Sequence, residues 1–178
     1  MEARRDGFFV VYFDNDHPNP RSTSTTTNLD YQTTFEAFMF NERSFLVNSA
    51  SPRQDVDAFF REVEKGMQQL EWLASFLMQE FEKGHHYTIV FTSHASPRSN
   101  SRYNMILSQR RFASIENFLM RWNNGALSPF IEEGKLLYTN TPYGDTRAGV
   151  AMPADPAFSI YSVEASRERK VTIKCEKN

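Results

Sequence analysis

Tyr87-Thr88-Ile89-Val90-Phe91, then Ser93-His94-Ala95-Ser96-Pro97-Arg98, then Asn100 to Ser108 closing on Arg110-Arg111: the reading of this stretch decides the fold. The apolar run reads as a buried strand. The segment from about Arg102 to Trp122 reads as a helix, because at about 100° per residue Leu107, Ile115, Phe118, Leu119 and Trp122 share one broad face. Arg111 falls near the middle of that face. A guanidinium keeps its charge, and burying it unpaired costs on the order of several kcal/mol. Either Arg111 meets a carboxylate of the protein, or it sits at the rim of the core and takes an anion from outside.

Working outward, the chain alternates strands with helices. Phe8 to Phe13 is a six-residue apolar and aromatic run between Gly7 and Asp14, expected as a central strand. Asp14-Asn15-Asp16-His17-Pro18-Asn19-Pro20 stops it; the cluster is read as turn-forming rather than metal-ligating. Ser22 to Thr27 lacks an apolar anchor and reads as a surface loop. Tyr31, Phe35, Phe38-Met39 and Phe45-Leu46 recur at helical spacing and predict a short aromatic helix. Ser51-Pro52-Arg53-Gln54 predicts a helix start with Ser51 as cap and Gln54 closing a capping box. The longest helix follows, Asp55 to about Lys83, with a bend at Gly66 and an end at Gly84. Lys135 to Thr139 predicts a third strand, followed by a turn at Pro142 to Asp145. Residues 146–162 read as a long loop with a short helix, and Lys170 to Cys175 as a last strand with one wet face. The expected fold class is α+β: a two-layer sandwich, helices packed on one face of a mixed four-stranded sheet, in a single domain over 1–178.

Composition narrows the function classes. With 178 residues, 40% hydrophobic and 24% charged, the chain fits one soluble globular domain with a substantial core. Sixteen Phe argue for an aromatic-rich core or an exposed apolar surface. A net charge of −2 gives no general attraction to nucleic acid or to an anionic membrane. Arg98, Arg102, Arg110 and Arg121 form no single stripe and read, Arg111 excepted, as a solvated face. One cysteine, Cys175, excludes an internal disulfide. Met1 to Gly7 holds no apolar run of signal-peptide or membrane-span length, so the expectation is a cytoplasmic protein, a soluble part of something longer, or one whose targeting segment is gone.

Four stretches resemble the OmpA-like domain family, the peptidoglycan-binding modules of outer-membrane porins, lipoproteins and flagellar stators. Phe13-Asp14-Asn15-Asp16 resembles the family's Phe-Asp-Phe-Asp, and Ser93-His94-Ala95-Ser96 stands where it has Gly-His-Thr-Asp. Tyr103-Asn104, Leu107-Ser108 and Arg111 match its Tyr-Asn…Leu-Ser…Arg pattern without a gap. Arg169-Lys170-Val171-Thr172-Ile173 resembles its closing Arg-Arg-Val-Glu-Ile. Ala-Ser-Pro is similar to the branch in which Ala-Ser replaces Thr-Asp. Residues 17–53 and 146–164 lie outside the match and read as insertions.

The resemblance implies a non-enzymatic, periplasmic, outer-membrane-associated module that holds the diaminopimelate of the peptidoglycan stem peptide. Arg111 then takes the ligand carboxylate, and Ser96 stands where an Asp would take its ammonium. Asp14 or Asp16 is expected to supply the missing acid, Asn104 to bond ligand backbone, and Arg169 to assist. No cofactor is expected; His85, His86 and His94 have no Cys or carboxylate at ligand spacing. The alternative is a degenerate domain that binds an envelope protein through the aromatic insertion at 29–47, and the competing reading makes those aromatics core. A hydrolase built on Ser93 or Ser96 with His94 is disfavoured, since neighbours on a strand point to opposite faces.

Overall fold

Strand and helix periods lie where the side chains find partners. The structure, a computed structural model, describes residues 8–149 and 153–178. In chain order the elements are β1 (Phe8–Tyr12), α1 (Tyr31–Phe40), α2 (Glu42–Asn48), α3 (Arg53–Glu82), β2 (Tyr87–His94), α4 (Ser101–Gly125), α5 (Ser128–Glu132), β3 (Leu136–Gly144), α6 (Pro156–Ser159), α7 (Val163–Arg167) and β4 (Lys170–Lys177). The sheet runs β1-β4-β2-β3, with β4 antiparallel to β1 and β2, and β2 parallel to β3. The fold is α+β, with helices packed on a mixed four-stranded sheet.

The inward residues of alternating strands meet the apolar faces of α3 and α4. Val11, Val171, Ile173, Ile89 and Phe91 are fully buried against Leu70, Leu73, Ala74 and Leu77 of α3 and Ile115 and Leu119 of α4. The other sheet face carries the partly exposed Thr88, Val90, Thr92 and Thr172. β1 is therefore an edge strand, not the central one its apolar run suggested: it pairs with β4 alone, and Phe8 is 68% exposed. β3 also differs from expectation, continuing through Pro142 to Gly144. Pro142 lacks a donor N–H but sits on the opposite edge, where none is required.

α3 is one 30-residue helix. Its start has Pro52 at the cap and no side-chain cap bond. Ser51 Oγ instead accepts from Val163 N at 3.2 Å, tying α3 to α7. Gly66 is not a bend; it is the point where α3 crosses β1, and a Cβ there would stand 2.5 Å from the Val10 carbonyl oxygen. Gly84 (φ +81°) closes the helix as expected.

The aromatic segment forms two helices, α1 and α2, rather than one. Phe38, Phe45, Phe59 and Phe60 make a second core cluster with Val56, Val63 and Val163. Its rings meet edge-on, Phe38–Phe60 at 5.3 Å and Phe45–Phe60 at 5.2 Å, a geometry worth about 0.5–1.5 kcal/mol per pair beyond area. Tyr31, Phe38 and Phe45 are thus core, while Phe40 is 92% exposed.

At the far end of α3, Glu80 bonds Lys83 Nζ, His85 Nδ1 and Tyr87 OH, each at 2.7 Å, and so fixes the entry to β2. Lys83 above all, then Tyr87 and His85, holds this carboxyl down to about 2 from an ordinary 4.5. A depressed folded value means the stabilisation is present above pH 4.5 and is lost as pH falls toward 2. The thermal-midpoint gap between wild type and Glu80→Gln should therefore close across that window; a constant gap contradicts the assignment. Gly66→Ala should lower unfolding free energy by about 1–3 kcal/mol, because backbone and not a side-chain tip must give way. Denaturant melts check it, and an unchanged midpoint argues against the close crossing.

Candidate binding site

The site grows from one polar stripe on α4. Tyr103, Arg110 and Asn117 recur every seven residues, and Arg121 follows a turn later, so all four lie on nearly one line beside the apolar face. Opposite that line runs the chain between β1 and α1, in register. Tyr103 OH donates to Asp16 Oδ1. Arg110 donates to the carbonyls of Pro18 (2.7 Å), Ser22 (2.9 Å) and Ser24 (2.8 Å). Asn117 Nδ2 donates to those of Thr27 (2.7 Å) and Leu29 (3.0 Å), and Arg121 pairs with Asp30 at 3.4 Å. A segment without apolar anchors is thereby laid along a helix by its backbone. The expected surface loop at 22–27 is a cover over buried charge.

Arg111 meets no carboxylate among the described residues, and it sits, fully buried, inside the core rather than at its rim. Backbone carbonyls take the role: Nε donates to His17 O at 3.0 Å, Nη1 to His94 O at 2.8 Å and Nη2 to Asp14 O at 3.3 Å, with the Phe13 ring 5.3 Å from Cζ. Carbonyl dipoles can replace water around a guanidinium without a counter-ion, since their lone pairs match its fixed donor fork. Burial first, then Arg169 and Arg110 nearby, pushes Arg111 down to about 9, so it stays charged at pH 7. Arg110, read as solvated, is equally buried, and this corrects that expectation. Its seven-residue spacing from Tyr103 and Asn117 is in the sequence, but the carbonyls that it meets are not.

Arg169 is the third fully buried guanidinium. It bonds Ile160 O at 2.9 Å, Ser159 O at 2.5 Å, Ser166 Oγ at 3.3 Å and Ser96 Oγ at 3.2 Å. It therefore holds the α6–α7 segment and Ser96 from behind.

In front lies a cavity of about 420 Å³ at the start of α4. Asn15, Asp16, Arg21 and Thr23 line it from the loop, Ser96, Arg98 and Ser99 from the turn after β2, and Tyr103, Asn104, Leu107 and Arg111 from α4. Of the six residues that the resemblance implied, Ser96, Asn104, Asp16 and Arg111 come together here. Asp14 and Arg169 do not line it. Asp14 is nearly buried, accepting from Asn15 N (2.7 Å) and Asn41 Nδ2 (2.8 Å). Asn104 Nδ2 donates to Ser99 O at 2.9 Å and so shapes the turn. Arg21, Arg98 and Tyr103 were missed as lining residues, because only the folded loop brings them to the same space.

The expected pairing of Ser93 or Ser96 with His94 is not set up for nucleophilic attack. Ser93 is fully buried and bonds Asn140 Oδ1 at 3.2 Å, and Ser96 Oγ accepts from Arg169. Burial, with Lys170, Arg147 and Arg111 nearby, pushes His94 down to about 4. Burial and Glu176 push the Cys175 thiol up to about 12. Among the described residues no three His, Cys, Asp or Glu side chains group as metal ligands, and no helix is long and apolar enough to cross a membrane. No protein-family model and no curated protein matches the chain.

Arg110→Met keeps the side-chain length and strands the Pro18, Ser22 and Ser24 carbonyls. The expected loss is about 1–3 kcal/mol, limited because the loop can swing out to water. Amide hydrogen exchange should accelerate across residues 15–27 and stay unchanged in β2 and β4. Unaltered protection in the loop would refute the assignment.

Proposed function

We propose that the chain is a non-catalytic cell-envelope module that holds the diaminopimelate stem peptide of peptidoglycan in the cavity at the start of α4. The observation that carries this reading is that Asp16, Ser96, Asn104 and Arg111, far apart in sequence, line one cavity. Asp16 provides the acid that Ser96 lacks, from the loop rather than from the turn. Arg111 uses three of its N–H groups on carbonyls, and a guanidinium has five. Because Arg111 has no exposed surface, an incoming carboxylate must displace part of this cage to reach the two that remain, beginning with the longest bond, 3.3 Å to Asp14 O. The module works in the periplasm, associated with the outer membrane.

A second reading, a protein-interaction module, rests on a different observation. Phe40 and Val47, on α1 and α2, are 92% and 74% exposed beside a core that has already taken Tyr31, Phe38 and Phe45. Large apolar side chains in such positions suit an envelope-protein partner.

Calorimetric titration with a diaminopimelate-containing muropeptide separates the two. Wild type should give a saturable heat. Thr23→Trp, which fills the cavity from an exposed position, should weaken binding at least tenfold (about 1.4 kcal/mol) with the fold intact. Phe40→Ser should leave it unchanged. A flat titration of wild type would overturn the wall-binding reading.

A further inference from the structure

The cavity carries more positive charge than a single carboxylate requires. Three arginines line it, Arg21, Arg98 and Arg111, against one acidic residue, Asp16. Asp16 is already engaged at both oxygens: Oδ1 accepts from Tyr103 OH, and Oδ2 from the Arg21 backbone N at 2.9 Å. Arg110 and Arg169 add buried charge behind the wall without a bonded acid. Cationic groups concentrated around a partly enclosed space attract anions more strongly than the same groups spread over a surface.

Two of these residues are exposed, Arg98 with its side chain held and Arg21 with its backbone held. Arg98 is exposed, yet its Nη1 donates to Ser159 Oγ, on a fully buried serine of α6 whose hydroxyl bonds Asp155 O at 3.0 Å. Arg21 is exposed as well; its backbone sits at φ +65° with the N–H fixed on Asp16, and its guanidinium has no bonded partner among the described residues. One comes from the 17–53 segment, and the other is steadied by the 146–164 segment. Both segments lie outside the stretches that carry the sequence resemblance.

We infer that the cavity selects a ligand with two anionic groups, one reached by Arg111 and the second gripped by Arg98 and Arg21. This rests on the reading of the cavity as a ligand site. In stem-peptide chemistry the pair is two carboxylates of neighbouring residues. A charge-assisted guanidinium–carboxylate bond is strong enough for such selection. Arg98 and Arg21 are then the residues that distinguish a diacid from a monoacid.

The test uses exposed positions whose change leaves the core alone, Arg98→Gln and Arg21→Gln. Each variant and wild type is titrated with free-acid muropeptide, with the same muropeptide amidated at one carboxylate, and with tricarballylate as a wall-independent polyacid. Wild type should prefer the free acid to the amide, and each variant should lose roughly tenfold toward the free acid while becoming indifferent to amidation. Muropeptide binding that ignores amidation and both substitutions overturns the diacid inference and leaves the wall-binding reading standing. If no muropeptide binds, the wall-binding reading falls and tricarballylate decides. Binding weakened in both variants then upholds the two-anion site, and no binding, or binding equal in all three proteins, ends it.

Discussion

A charged guanidinium survives away from water only where other lone pairs replace the solvent, and this fold meets that condition three times. Arg110, Arg111 and Arg169 are fully buried; Arg110 and Arg111 are ringed chiefly by backbone carbonyls, Arg169 by two carbonyls and two serine hydroxyls, and none bonds an acid among the described residues. The carbonyls come from segments that have little apolar surface of their own. Dependence therefore runs both ways: the cations need the loops for solvation, and the loops take their shape from the donor geometry of the cations. Burying these charges has a cost, visible in the lowering of Arg111 to about 9, chiefly by burial and further by the neighbouring Arg169 and Arg110. It also leaves the adjoining cavity positive.

The rest of the molecule fixes where those cations stand. β2 ends at the turn that presents Ser96, and Ala95 N donates to the carbonyl of Gly144, tying this turn to the end of β3 at 2.7 Å. Gly144 in turn lets α4 approach, since a Cβ there would stand 3.0 Å from Met105 N. On the other side, Tyr31 OH donates to the Tyr12 carbonyl at 3.0 Å, closing the long excursion between β1 and α1. Behind Tyr31, the aromatic cluster docks α1 and α2 on α3. The excursion is thus anchored at its ends by aromatic burial and along its length by the α4 stripe.

What was legible in the sequence follows from periodicity. The apolar run of β2, the alternation in β4 and the apolar faces of α3 and α4 fixed the layers, and Arg111 stood out because it breaks one of those faces. Strand order was not legible: β1 is as apolar as a central strand, because Tyr12 and Phe13 serve the aromatic cluster and the Arg111 cage rather than a second ladder. Gly66 was visible as an anomaly but not as a crossing point, which depends on what lies opposite. The burial of Arg110 was hidden for the same reason. A backbone carbonyl carries no residue identity, so a cation that pairs with carbonyls leaves no matching acid in the sequence to find.

The central claim is that three arginines stay charged and shielded inside the protein, held by main-chain and hydroxyl oxygens. Nitrogen-15 NMR of the arginine side chains reads this directly. Three Nε–H signals, assigned by substitution to Arg110, Arg111 and Arg169, should exchange far more slowly with water than those of Arg98 and Arg102, and should keep guanidinium chemical shifts at pH 7. Exchange at solvent rates for these three, or chemical shifts of a neutral guanidine, would contradict it.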